Sequence, residues 1–137
     1  MPLDDVDRKI LEVLRRDARL PFLKIAEEVG ISEGAVRRRV KKLMEAKVLK
    51  RFTIETFEEE ASAIMLISVD PAIPTFKVSS ELKKIDGVKK VYEVTGESDI
   101  VALLSTRSID ELNACVDKAR SIEGTLKTNT LMVLRSW

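Results

Sequence analysis

The chain has no histidine and a single cysteine, Cys115. These scarcities remove the usual zinc-ligand sets, every histidine-based catalytic triad and any disulfide within the chain. No stretch approaches the roughly eighteen apolar residues that span a bilayer as a helix. The longest apolar run, Ala63 to Ile67, reads as a strand. The start, Met-Pro-Leu-Asp-Asp, does not resemble a signal peptide. There is no internal repeat and no low-complexity tract. A cytoplasmic protein with no cofactor and no metal is the expectation. Hydrophobic residues make up 45% and charged residues 34% of the 137 positions, the balance of one ordinary globular domain or two small ones.

The net charge of +1 conceals an asymmetry. Residues 1–52 hold 14 Lys/Arg against 9 Asp/Glu, and residues 53–137 hold 10 against 14. The excess is local: Arg37, Arg38, Arg39, Lys41, Lys42, Lys47, Lys50 and Arg51 face one acid, Glu45. Such a cationic field is what a polyanion-binding module needs, although a solvated helix face has the same composition. The break falls in residues 53–60, where Glu55, Glu58, Glu59 and Glu60 form a short acidic linker. The expected division is 1–52, linker 53–60 and 61–137.

Asp4 or Asp5 suits a helix N-cap, and Val6, Ile10, Val13 and Leu14 then recur at helical spacing up to a stop at Asp17-Ala18-Arg19. A second helix begins near Pro21, buries Phe22, Ile25, Ala26 and Val29, and ends at Gly30. Ser32 caps a third. On that helix Val36, Val40, Leu43 and Met44 share one arc, while Gly34, Arg38, Lys41 and Lys42 lie opposite and Arg37 and Arg39 flank them. A short helix, a Gly turn and a basic helix make a helix-turn-helix, whose second helix enters a major groove. Ser32 and Gly34 at its start offer N–H groups to phosphate and a close backbone approach. Val48 to Phe52 reads as a short strand, a wing that sets Lys50 and Arg51 on the DNA backbone. A three-helix protein-interaction module is the plainer alternative. The polar turn and the cation-rich helix together favour DNA.

The remainder reads β-α-β-β-α-β: a strand at 61–69, a helix around Val78, Leu82 and Ile85 ending at Asp86-Gly87, strands at 88–95 and 100–106, a helix capped by Ser108, and a strand at 125–134. That order is the ferredoxin-like split βαβ sheet, so the class is α+β. Helices cover only one face of such a sheet, yet alternate residues of the first and last strands are apolar on both. The expectation is a homodimer packed sheet to sheet. Cys115 falls on the apolar side of its helix and reads as core.

The chain resembles the Lrp/AsnC (feast/famine) family of transcription regulators along nearly its whole length. The matching stretches are Leu3-Asp4-Asp5-Val6-Asp7-Arg8-Lys9-Ile10-Leu11, Ile25-Ala26 with Val29-Gly30-Ile31-Ser32, Val36 to Leu43, and Val94-Thr95-Gly96-Glu97-Ser98-Asp99. From Lys50 to the Leu-Arg-Ser-Trp end it looks most like an archaeal branch that includes regulators of lysine biosynthesis. The resemblance implies a winged helix-turn-helix, an effector domain, dimers that assemble into octamers or similar rings, and control by a free amino acid held between dimers. Carried over by position, the effector-binding residues are Gly96, Glu97, Ser98 and Asp99 of a turn, with Thr128, Asn129 and Thr130 of the last strand. An ammonium needs an anion, which Asp99 supplies, and a carboxylate needs the N–H groups of a Gly turn and nearby hydroxyls. The family often has Asp-Tyr inside this turn where this chain has Glu97-Ser98. That removes an aromatic packing surface and leaves Glu97 to pair with a basic effector such as lysine or arginine. Without the resemblance, Gly96 to Asp99 is simply a hairpin turn. An architectural DNA-coating protein is the second function, and an enzyme or amino-acid carrier built on the sheet the third. With no histidine and no metal cluster, an enzyme is not expected.

Overall fold

The computed structural model describes residues 1–55 and 61–137; of the expected linker, 56–60 lie outside the described residues. The chain divides into two compact units, Met1–Thr56 and Phe57–Trp137.

In the first unit Asp4 caps α1 (Asp5–Arg16), accepting the Asp7 N–H while the Asp7 carboxylate accepts the Asp4 N–H. Pro21 precedes α2 (Phe22–Val29), and Gly30 ends it with φ +79°, a left-handed conformation that glycine adopts without a Cβ clash. Ser32 caps α3 (Glu33–Glu45) by accepting the Ala35 N–H at 3.2 Å. Ile10, Val13, Leu14, Ile25, Ala26, Val36 and Val40 close the core between the three helices. An Arg16–Glu28 ion pair ties α1 to α2.

Two expectations for this unit are corrected. Met44 is 45% exposed rather than buried, because it sits at the edge of the Val36–Val40–Leu43 arc in the last turn. The wing strand is not formed: among the described residues, Val48 to Phe52 pairs with no strand. The end of α3 has captured its first donors, since the N–H groups of Val48 and Leu49 both donate to the Leu43 carbonyl at 3.0 Å.

The second unit is a four-stranded antiparallel sheet in the order β2-β3-β1-β4, the ferredoxin-like arrangement. Its elements are β1 (Ala61–Val69), α4 (Thr75–Leu82), β2 (Val88–Glu93), β3 (Ile100–Thr106), α5 (Ile109–Arg120) and β4 (Thr125–Met132). Three ends fall short of expectation. Beyond Leu82 the bonds tighten to three-residue closures, with Lys84 donating to Glu81 and Ile85 to Leu82, so the helical turn does not run on to Gly87. Strand β2 stops at Glu93, although the Val94 N–H still donates to the Asp99 carbonyl. Strand β4 stops at Met132, although the Val133 N–H still donates to Ser62.

The period of two sorts the strands. Ala63, Met65, Ile67 and Val69 of β1 and Ile100, Ala102 and Leu104 of β3 are buried with Val78, Leu82, Leu112, Cys115 and Ala119 of the helices. Ile64 and Leu66, opposite Leu103 and Val101, are only half-buried on the other face, with Tyr92 and Leu131 exposed at its margins.

One backbone feature invites a test. Lys47 has φ +56°, the left-handed region that a residue with a Cβ enters at a cost of about 1 kcal/mol. Lys47→Gly should therefore stabilise the first unit by about 0.5 kcal/mol, read as a higher thermal midpoint. An unchanged or lower midpoint would mean that the strain relieved does not exceed the entropy glycine adds to the unfolded chain.

Candidate functional site

Burial of Val36, Val40 and Leu43 turns the opposite stripe of α3 outward. Its cations are not equivalent. Arg37 reaches back to Glu33 at 2.9 Å and lies over the Phe22 ring, 5.3 Å from its centroid. Lys41 lies 3.8 Å from Glu45. Arg38 and Lys42 are exposed and have no ion pair among the described residues. Gly34 leaves the start of the stripe open: a Cβ there would meet only the Arg38 guanidinium, at 3.6 Å. Ser32 precedes it with its hydroxyl engaged as the cap. Lys50 and Arg51 are exposed on the irregular segment after α3.

Arg39 stands apart. Its Nη1 donates to Asp4 Oδ2 and to Asp7 Oδ1, each at 2.7 Å. Sequence reasoning placed it among the flanking cations and missed this network, which joins residues 32 and 35 positions apart. The only signal was the pair of acids at helix-capping spacing. Bonds from the Asp7 N–H first, then from Arg39, hold the Asp4 carboxyl below its ordinary pKa. Bonds to Asp7 and Asp4 push the Arg39 pKa up. A lowered carboxyl pKa stabilises the fold above the unfolded-state pKa, and that contribution fades as pH falls through the folded value.

The second group of residues lies at one end of the sheet. The Asp99 N–H donates to the Ile67 carbonyl at 2.9 Å, and Asp99 Oδ2 accepts the Val69 N–H at 2.7 Å. The turn is thereby pinned to the end of β1. Gly96 takes φ +121° with open space where a Cβ would stand. Glu97 is exposed, and Ser98 and Asp99 are half-buried. On the other side of β1, Thr128 pairs with Ile67 and Thr130 with Met65, whereas Asn129 pairs with Leu66. Thr128 and Thr130 therefore share the helix-covered face, and Asn129 lies on the open one. Turn and threonines flank the same stretch of β1, two strand spacings apart, or roughly 10 Å. The turn brings one anchored carboxylate to that end of the sheet, and β4 brings two hydroxyls and an amide.

The AsnC-type helix-turn-helix domain profile matches residues 3–44, and the Lrp/AsnC ligand binding domain profile matches residues 62–137. The chain belongs to the Lrp/AsnC family. It is 46% identical over 136 residues to the HTH-type transcriptional regulator LysM of Sulfurisphaera tokodaii, covering 98% of this chain and 97% of that one. It is 37% identical over 137 residues to the regulator FL11 of Pyrococcus furiosus, covering 97% and 90%. Among solved structures it resembles E. coli AsnC (TM-score 0.81, 27% identity, 99% and 95% coverage). It also resembles a feast or famine regulatory protein from M. tuberculosis complexed with L-methionine (TM-score 0.88, 27% identity, 99% and 95% coverage). This Lrp/AsnC protein is thus a DNA-binding transcription regulator with a ligand-binding domain, and, like its relatives, not an enzyme. No helix among the described residues is long and apolar enough to cross a membrane.

The anchoring of the turn is testable. Asp99→Ala leaves the Val69 N–H without its acceptor, a loss of about 1–3 kcal/mol. Asp99→Asn keeps an oxygen there and should lose less than half as much in urea unfolding of the full chain. Equal losses would mean that the negative charge, rather than the acceptor, holds the turn.

Proposed function

We propose that the protein binds DNA sequence-specifically as a homodimer, and that a small amino acid alters its assembly or its affinity. The observation that carries the DNA part is the outward stripe of α3, where Arg38 and Lys42 stand exposed, without an ion pair among the described residues, beside an open Gly34. Ser32 and Gly34 let the helix start approach a phosphate. Arg37 and Lys41, each with an acid of its own helix at hand, exchange those partners for DNA at small loss, since exposed pairs are worth roughly 1 kcal/mol or less. Lys50 and Arg51 extend the basic surface along the backbone. A two-fold dimer would offer recognition helices about 34 Å apart, or a multiple of that, to a roughly palindromic site.

The half-buried apolar face of the sheet supports the dimer: Ile64, Leu66, Val101 and Leu103 form a patch that a second copy would cover. Assembly of dimers into an octamer or similar ring would complete the half-site of Gly96, Glu97, Ser98, Asp99, Thr128, Asn129 and Thr130. A structurally similar relative was solved with L-methionine, which supports an amino acid as the ligand class. Glu97, exposed beside the anchored Asp99, favours a basic one, lysine or arginine. A ligand that binds one assembly better than another shifts the spacing of the DNA-binding heads. The cytoplasm, where such genes and amino acids meet, is the compartment this reading requires.

Arg38→Ala should change the preferred sequence, as loss of a base-reading side chain does. Lys42→Ala should weaken binding to all sequences and flatten the salt slope by about one unit. Selection from random duplexes and salt-dependent binding curves measure both. Equal loss at every sequence for Arg38→Ala would remove its base-reading role, and a wild type that coats all duplexes alike would make the protein architectural.

Calorimetric titration with the twenty amino acids should find a basic one bound tightest. Glu97→Gln should weaken that one selectively. Binding of apolar amino acids alone would exclude the basic effector.

A further inference from the structure

Arg39 lies in the middle of the helix that the preceding reading sends into DNA, yet its side chain is 33% exposed, against 65% for Arg37 and 78% for Lys41. One nitrogen, Nη1, is shared between Asp4 and Asp7. Both carboxylates are also the two halves of the α1 capping box, where the Asp7 N–H reaches Asp4 Oδ1 at 2.7 Å and the Asp4 N–H reaches Asp7 Oδ2 at 3.3 Å. The Asp7 side chain is 7% exposed. The first turn of α1 is thus bonded to the centre of α3 by directional, charge-assisted contacts.

Burial of Val36, Val40 and Leu43 decides which side of α3 faces outward, but burial is non-directional and sets small rotations of a helix less sharply than a hydrogen bond does. Charge-assisted hydrogen bonds of 2.7 Å depend on angle as well as distance. Arg38 is the residue before Arg39, and Lys42 lies one turn beyond Arg38. Any rotation of α3 that moves the Arg39 guanidinium off the two carboxylates carries both of those side chains with it.

We propose that Arg39 is a positioning residue that touches no DNA: through Asp4 and Asp7 it sets the angle at which α3 presents Arg38 and Lys42. This rests on α3 being the DNA-reading helix. The network also accounts for two acids beside a surface that must attract a polyanion, since Asp4 and Asp7 line the same recess as Arg38 and Lys42. As bare charges they would only repel DNA.

That conflict gives a test with opposite signs. Asp4→Asn removes one negative charge and one ion pair but keeps a good N-cap. If Asp4 acts only through its charge, the variant binds every duplex more tightly. If it positions α3, the variant binds the selected sequence more weakly. The measurement uses the full chain, a duplex selected by the wild type and a scrambled duplex of equal length, across a range of salt. Asp4→Asn and Arg39→Gln should each lose about fivefold on the selected duplex and little on the scrambled one, with the salt slope unchanged. The double variant should be no worse than Arg39→Gln alone, and Arg39→Lys should recover part of the loss. Tighter binding by Asp4→Asn overturns the proposal, as does a uniform loss by Arg39→Gln with a slope lower by about one, the mark of a phosphate contact. Should Arg39→Gln fail to fold, Asp4→Asn alone decides, because it alters only an exposed side chain. Arg38→Ala, run in parallel, separates the two readings. If it leaves both affinities at wild type, the α3 interface is wrong; if it alone weakens the selected duplex, the interface stands and the positioning role falls.

Discussion

Val36, Val40 and Leu43 of α3 are at most 4% exposed, and the rest of the DNA-binding unit follows from their burial. A helix cannot turn one stripe into a core without turning the opposite stripe into solvent. At 100° per residue, the residues left outside are Gly34, Arg38, Lys41 and Lys42. Hydrophobic burial therefore does two things with one contact: it closes a core of three short helices, and it aims the cations. The caps serve the same end. Asp4 and Ser32 start α1 and α3, and Gly30 turns the chain sharply between α2 and α3, so that α3 carries the basic stripe by itself.

Electrostatics then sorts those cations. Five lie on α3, and their formal charges are equal, but their surroundings are not. Arg39 is bonded to two carboxylates. Arg37 and Lys41 sit near acids of their own helix. Arg38 and Lys42 face water. Ion pairs of exposed side chains break at little cost, whereas a guanidinium bonded to a nearly buried carboxylate does not let go as easily. A count of basic residues therefore overstates the number available to a phosphate backbone.

The second unit obeys the same rule with a different period. Alternation along β1 and β3 gives one face to α4 and α5 and leaves the other half-buried. The register also positions the turn at residues 96–99. Because β1 lies between β3 and β4, residues almost thirty positions apart, Asp99 and Thr128, come to the same short stretch of β1. Asp99 has a structural duty there that any ligand role must share, since one of its oxygens already holds the Val69 N–H.

Period and punctuation made most of this legible. Capping residues at Asp4, Ser32 and Ser108, the glycine after α2, and runs of period 3.6 or 2 set the elements, in places to the residue, because local hydrogen bonding and one-sided burial act over a few neighbours. The basic stripe and the turn were legible for the same reason. What local reading could not supply were features that depend on distant partners. Val48 to Phe52 has strand-like residues but no partnering strand among the described residues. Met44 follows the apolar arc but lies past its edge. Arg39 looks like its neighbours until α1 folds back and brings Asp4 and Asp7 against it. Apart from the Val48–Phe52 segment, the sequence alone determined which segments become helices and strands and which side of each is apolar. Only the tertiary structure decided which charges meet, because a carboxylate 35 residues away acts on a guanidinium only once the chain has folded them to within a hydrogen bond.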